Sequence, residues 1–240
     1  MLASDFNIEN YNIIIKKVID YGYKFVKFPK CNTFKVSNEK EVLLRHDIDF
    51  SLLAAREIAQ QDYNLDLQST FFIYLNSPFY NILFENDKLQ IDEIIKLGHD
   101  VALHFDERIN IGLDKELEVL TKIFSDARSD VISLHKPQIN QQKQTVIKDF
   151  VPKHIITTYD EDFFKQINYI SDSKCNFQRA KLDSILDSNK SFQLLLHPVW
   201  WFFEGNSLEE KLRVLCNEKL KEVEGNIKKD ISIENLKILL

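Results

Sequence analysis

The stretch Leu43-Leu44-Arg45-His46-Asp47-Ile48-Asp49-Phe50 decides how this chain is read. Two leucines run straight into polar and charged residues, and from Ser51 to Gln61 a helical period resumes through Leu52, Leu53, Ala55 and Ile58. That order is a buried strand whose carboxyl end carries polar groups, followed by a helix. Side chains alternate along an extended backbone, so Asp47 and Asp49 point to the same side. Two carboxylates on one face repel unless a cation or a shared proton compensates. A divalent-metal or acid/base site is therefore expected here, the alternative being that Arg45 pairs with one aspartate in a surface turn.

The same unit recurs on both sides. Tyr11, Ile14, Ile15, Val18 and Ile19 are spaced as a helix closed by Gly22, and Tyr23–Phe28 alternates as a short strand. Ser69–Leu75 is a strand by its aromatic and β-branched content, with a helix from Tyr80 to Leu97 closed by Gly98. Val101–Phe105 and Val131–His135 are further strands, with helices over Asp114–Phe124 and around Gln141–Phe150; His154–Tyr159, Asn168–Ser171 and Phe192–Leu196 complete the set. The fold expected is α/β, a single distorted or partly open (β/α) barrel of about seven parallel strands, its site at the carboxyl ends of the strands. One domain spans 1–240, with a C-terminal helix at about 207–228 that opens on the capping pattern Ser207-Leu208-Glu209-Glu210. Its Leu212, Val214, Leu215, Leu220 and Val223 are expected to pack on the barrel or on a second subunit.

Composition narrows the function. The net charge of −6, without a dense Lys/Arg run, argues against nucleic acid. With five glycines and no Gly-rich phosphate loop, nucleotide folds are disfavoured. Cys31, Cys175 and Cys216 are widely spaced and read as thiols of a reducing compartment. Asp5 and Glu9 stand where a secretory signal would carry basic residues, and no apolar run approaches spanning length, so a cytoplasmic protein is expected.

Four of the six histidines, His46, His104, His135 and His197, close predicted strands. In a parallel barrel they would gather at one rim beside Asp47 and Asp49. His99 follows a helix-ending glycine and is read as structural; His154 begins a strand and belongs to the opposite rim.

The ordered motifs resemble the polysaccharide deacetylases of the fourth carbohydrate-esterase family, the NodB-like proteins, and within it the subgroup with an H-D-[IV]-D motif that includes WbmS-like proteins. Arg45–Ser51 is similar to the first motif, which implies Asp47 as catalytic base and Asp49 as metal ligand. Ser69-Thr70-Phe71-Phe72 is similar to the T-F-F strand, and Tyr80-Asn81 recurs in the subgroup. Gly98–Asp106 resembles the signature ending in the ligand His104. Ser133–Pro137 resembles the R-P motif with Lys136 in place of arginine, Ser171-Asp172-Ser173 the aspartate motif that braces that cation, and Leu195–Pro198 the motif of the catalytic His197. Where the family has its second metal histidine this chain has Arg108, so His135 or Asp106 must complete the shell; imidazole at an adjacent strand end favours His135.

The resemblance implies a metal-dependent hydrolase, zinc first among the divalent ions, that removes an acetyl or similar acyl group from an amino sugar in surface-glycan biosynthesis. Lys136 and Asp172 would assist catalysis; Arg45, Tyr80, Asn81 and Trp200 would touch the substrate, which the cytoplasmic location makes nucleotide- or lipid-linked. The rival readings are a barrel metal-hydrolase of a non-sugar amide or phosphoester, and a catalytically inactive barrel that binds a glycan or a protein partner.

Overall fold

A computed structural model describes residues 1–29, 40–109, 112–137 and 151–230 of the chain. Eight strands form one sheet: β1 (Lys24–Val26), β2 (Glu41–Ile48), β3 (Thr70–Ile73), β4 (Asp100–Phe105), β5 (Val131–Leu134), β6 (Ile156–Thr157), β7 (Asn168–Ser171) and β8 (Phe192–Leu196). Every pairing is parallel, in the order β6-β5-β4-β3-β2-β8-β7, with β1 beside the amino-terminal half of β2. The ends of the path, β6 and β7, do not pair, so seven strands curl into a partly open barrel. Parallel strands need crossovers, and among the described residues α2 (Leu52–Asn64), α3 (Glu85–Lys96), α4 (Leu113–Ile123), α5 (Glu161–Phe164) and α6 (Arg179–Ser188) supply them, while α1 (Ile8–Asp20) precedes the sheet and α7 (Pro198–Phe202) and the C-terminal α8 (Leu208–Asp230) follow it.

Period two sorts the strand residues into two cores. Leu43, Phe72, Ala102, Val131 and Ile156 cluster with Phe28, Phe163 and Ile167. Their alternates Leu44, Phe71, Val101, Ile132 and Leu194 join the larger clusters that include helix residues such as Ile15, Ile58 and Ile91. Burial on both faces explains why β2 reads as a continuous buried run. Local caps agree with the elements: Asn7 and Ser51 accept from the backbone N–H of Asn10 and Ala54 at the starts of α1 and α2, and Pro198 opens α7.

Several boundaries differ from the sequence expectation. The helix expected from Tyr80 begins at Glu85, because the Tyr80 hydroxyl donates to Ile48 O at 2.6 Å and Asn81 N donates to Asp87 Oδ2 at 2.8 Å, tying the segment into turns. The strand expected over 154–159 shrinks to Ile156–Thr157. α6, with Leu182, Ile185 and Leu186 buried, is a helix the sequence reading did not assign. Of the five apolar residues of α8 expected to pack, Leu215 and, partly, Leu212 meet the barrel, while Val214, Leu220 and Val223 are exposed. The helix expected around 141–150 and Cys31 lie outside the described residues. Among those described, no helix is long and apolar enough to cross a membrane.

Candidate active site

At the carboxyl ends of β2, β4 and β5, three side chains converge. Asp49 Oδ1 lies 3.2 Å from His104 Nε2 and 3.2 Å from His135 Nδ1, and the two nitrogens are 3.2 Å apart. This is the one group of metal-ligating side chains among the described residues. Asp49 Oδ1 is buried and without a well-aligned hydrogen bond, while the two imidazole nitrogens lie in hydrogen-bond contact with each other. Two imidazole nitrogens and a carboxylate oxygen at these separations match a divalent ion with bonds of about 2.0–2.2 Å. Burial pushes Asp49 up, but His104 and His135 outweigh it and hold the carboxyl well below the usual range.

The tautomer of His104 follows from its neighbour. Ser133 has one hydroxyl proton, and it is donated to Asp47, 3.1 Å from Oδ1 and 3.2 Å from Oδ2. His104 Nδ1, 3.1 Å from that hydroxyl, is placed to donate to it, the tautomer that frees Nε2 to bind a metal ion. Nothing in the sequence reading singled out Ser133; two residues before His135 on a strand, it shares the inner face, and that is the signal that could have found it. The His135 ring stacks on Tyr74, centroids 4.5 Å apart.

Asp47 is buried with its partner Arg45, whose Nη2 donates to Oδ2 at 2.9 Å. Burial raises the Asp47 pKa, while Arg45, His104 and His197 bring it below its ordinary value. Arg45 also donates to Thr158 Oγ1, to Gln193 Oε1 at 2.9 Å and to the Tyr159 hydroxyl at 3.0 Å. It thus reaches from β2 to β8 and to the loop that follows β6. Expected to touch substrate, Arg45 is instead fully buried and spent on protein acceptors.

Across the mouth, His197 Nδ1 donates to Asp172 Oδ1 at 2.6 Å, and Nε2 stands 4.0 Å from Asp49 Oδ2. Asp172 is fully buried; it also accepts from His197 N and, at 2.7 Å, from Trp201 Nε1. Burial would lower the His197 pKa, but Asp172 dominates and raises it to about 9. The sequence reading paired Asp172 with Lys136; the structure gives Asp172 to His197 and Trp201, and Lys136 makes no ion pair among the described residues. Trp201, weighed from the sequence with Trp200 as a residue to wall the pocket or pack the core, instead braces Asp172.

These groups open into a cavity of about 390 Å³ lined by Asp47, Asp49, His104, His135, His197 and Trp200, among others. Lys136 and Lys174 also line it, whereas Tyr80 and Asn81, expected at the substrate, do not. Larger grooves elsewhere, such as one between Asn7 and Arg213, hold no such cluster. Asp106, the other candidate third ligand, is clamped by Arg108 at 2.7 and 2.5 Å and by the Tyr74 hydroxyl at 3.0 Å. Burial raises its pKa and Arg108 and Tyr74 lower it further, to about 2. His46, expected at the rim, faces the opposite side of the sheet and pairs with Asp62 at 3.0 Å. His99, read as structural, lies 2.9 Å from Ala59 O.

No family model matches the chain, and no curated protein matches it in sequence. Solved structures with a similar course of chain include the peptidoglycan deacetylase PdaC from Bacillus subtilis, with a TM-score of 0.44 at 10% identity over 81% of this chain and 96% of that one. The chitin deacetylase from the fungal pathogen Colletotrichum lindemuthianum gives 0.44 at 16% identity over 81% of this chain and 86% of that one. A peptidoglycan N-acetylglucosamine deacetylase catalytic domain from Eubacterium rectale gives 0.43 at 15% identity, covering 80% and 90% of the two chains.

Proposed function

We propose that the chain is a metal-dependent hydrolase that removes an acetyl or similar acyl group from an amino sugar. The observation that carries this reading is the triangle of Asp49 Oδ1, His104 Nε2 and His135 Nδ1 with 3.2 Å edges, set beside a buried carboxylate and an opposed histidine. A divalent ion held by these three, zinc first, supplies a Lewis acid and lowers the pKa of water. Asp47, 3.9 Å from His104 Nε2, accepts the proton of the attacking water. Arg45 and Ser133 keep that carboxylate anionic and fixed. His197, with Nδ1 committed to Asp172, presents Nε2 to protonate the leaving amine. Trp200 walls the cavity and offers a sugar a flat apolar face. Five side chains from four strand ends in these separate roles favour hydrolysis over the inactive binding barrel. The ordered sequence motifs favour an amide on a sugar over a phosphoester, with a place in surface-glycan biosynthesis in the cytoplasm and the whole chain acting as one domain.

The test is acetate release from N-acetylated sugars by zinc-loaded protein. Release that stops on chelation and returns with zinc is expected; no release from any acetylated amino sugar, with metal bound, would overturn the reading.

A further inference from the structure

Two lysines line the cavity from opposite ends of the opened sheet: Lys136, directly after His135 beyond β5, and Lys174, two residues past Asp172 beyond β7. Both are exposed, and neither makes an ion pair or hydrogen bond among the described residues. Several other lysines pair with carboxylates, as in Lys17–Asp183, Lys27–Asp100, Lys88–Asp92 and Lys228–Glu224. Both mouth lysines also hold left-handed backbone, with φ of 47° and 59°, at a cost on the order of 1 kcal/mol each. Lys136 does so immediately before Pro137, where extended backbone is the favoured state. The cavity wall beside them, including Phe50, Pro137 and Trp200, is apolar.

An acidic chain repels anions, yet two cations without a carboxylate partner among the described residues stand at the mouth of the site. Resting on the hydrolase reading above, we infer that the substrate is an amino sugar carrying a phosphoryl group, its ring against the apolar wall and its phosphate oxygens accepting from Lys136 and Lys174. Lysine binds phosphate as a point charge without demanding a fixed fork geometry, which suits two lysines carried on separate loops. A nucleoside diphosphate sugar and a polyprenyl diphosphate sugar present the same group.

Calorimetry on zinc-loaded protein tests this with N-acetylglucosamine, its 1-phosphate, UDP-N-acetylglucosamine and a short-chain polyprenyl diphosphate N-acetylglucosamine. The phosphorylated sugars are expected to bind about 10–100-fold more tightly than the neutral one, a preference that falls about tenfold for Lys136→Gln or Lys174→Gln and vanishes in the double variant. The phosphorylated arm that binds best identifies the source of the phosphate. Equal affinity for neutral and phosphorylated sugar would overturn the inference. So would a phosphate preference that survives the double variant but is lost on chelation, since the metal alone would then hold the anion. Lysine-dependent binding without acetate release would keep the anion subsite and sink the deacetylase reading; acetate release without phosphate preference would do the reverse.

Discussion

The two faces of β2 carry the same kinds of residue to opposite ends. On the outer face His46 meets Asp62, and every partner is another protein atom: Asp62 accepts from Tyr11 at 2.5 Å, from His46 at 3.0 Å and from Ser69 at 2.7 Å. His46 Nδ1 lies 3.3 Å from Leu196 O, and the His46 ring stacks on Phe71. On the inner face, Asp49 and two histidines converge and leave a carboxylate oxygen without a hydrogen bond. Composition does not separate the two clusters. Satisfaction does: a network that closes on itself holds the fold together, and one that converges without closing is arranged for something not yet there.

The contrast should break most sharply under substitutions that conserve shape. Asp47→Asn is expected to keep the metal and cut acetate release by about 10²–10⁴-fold, and His197→Ala to slow turnover over the same range. Metal loss from Asp47→Asn instead would exchange the roles of the two aspartates, and unchanged turnover would remove His197 from the chemistry. On the outer face, Asp62→Ala leaves buried donors unpaired and should cost about 3–5 kcal/mol in urea unfolding with metal content unaltered. A variant that keeps its stability but loses metal would put the outer network in the site.

Ser133→Ala probes the seam between the two behaviours. Without the hydroxyl, His104 loses the contact that sets its tautomer, and metal affinity should fall about 10–100-fold by competition with a chelator. An unchanged affinity would leave Ser133 as packing.

The smallest effect concerns Glu116, buried on α4, whose Oε1 accepts from Asn76 at 2.8 Å while Oε2 has no partner. Burial, with Asp106 adding to it and Asn76 opposing, raises its pKa from 4.5 to about 7. The folded state then holds a proton that the unfolded chain has released, so stability falls as pH rises from about 4.5 through about 7 and stays low above. Glu116→Gln should escape that loss, gaining up to about 3 kcal/mol at pH 8 and little at pH 5. Melting curves that coincide with wild type at both values would mean that Glu116 is ionised without strain.

Much of this was legible in the sequence. Hydrophobic runs and their alternation placed the strands because parallel strands are buried on both faces. Strand ends placed His104 and His135 at one rim with Asp47 and Asp49, and the resemblance of the motifs picked Asp49, His104 and His135 from that set. The same period-two rule that put Asp47 and Asp49 on one side puts His46 on the other, and counting strand-end histidines without applying it set His46 at the rim. Lys136 and Asp172 resisted for another reason. Which cation a buried carboxylate chooses depends on loops whose course no periodicity records, and here β7 delivers Asp172 to His197 and Trp201 while Arg45, from within β2, braces Asp47. α6 stayed hidden because its buried Leu182, Ile185 and Leu186 sit among polar residues in ten residues of helix, too short a span for a firm period.

Metal content speaks to the central claim most directly. Protein purified without chelator and dialysed against zinc should hold about one ion per chain by plasma emission spectroscopy. Asp49→Ala and His104→Ala should hold almost none while remaining folded by circular dichroism. A wild-type protein that binds no divalent ion, or variants that bind it as well as wild type, would contradict the account.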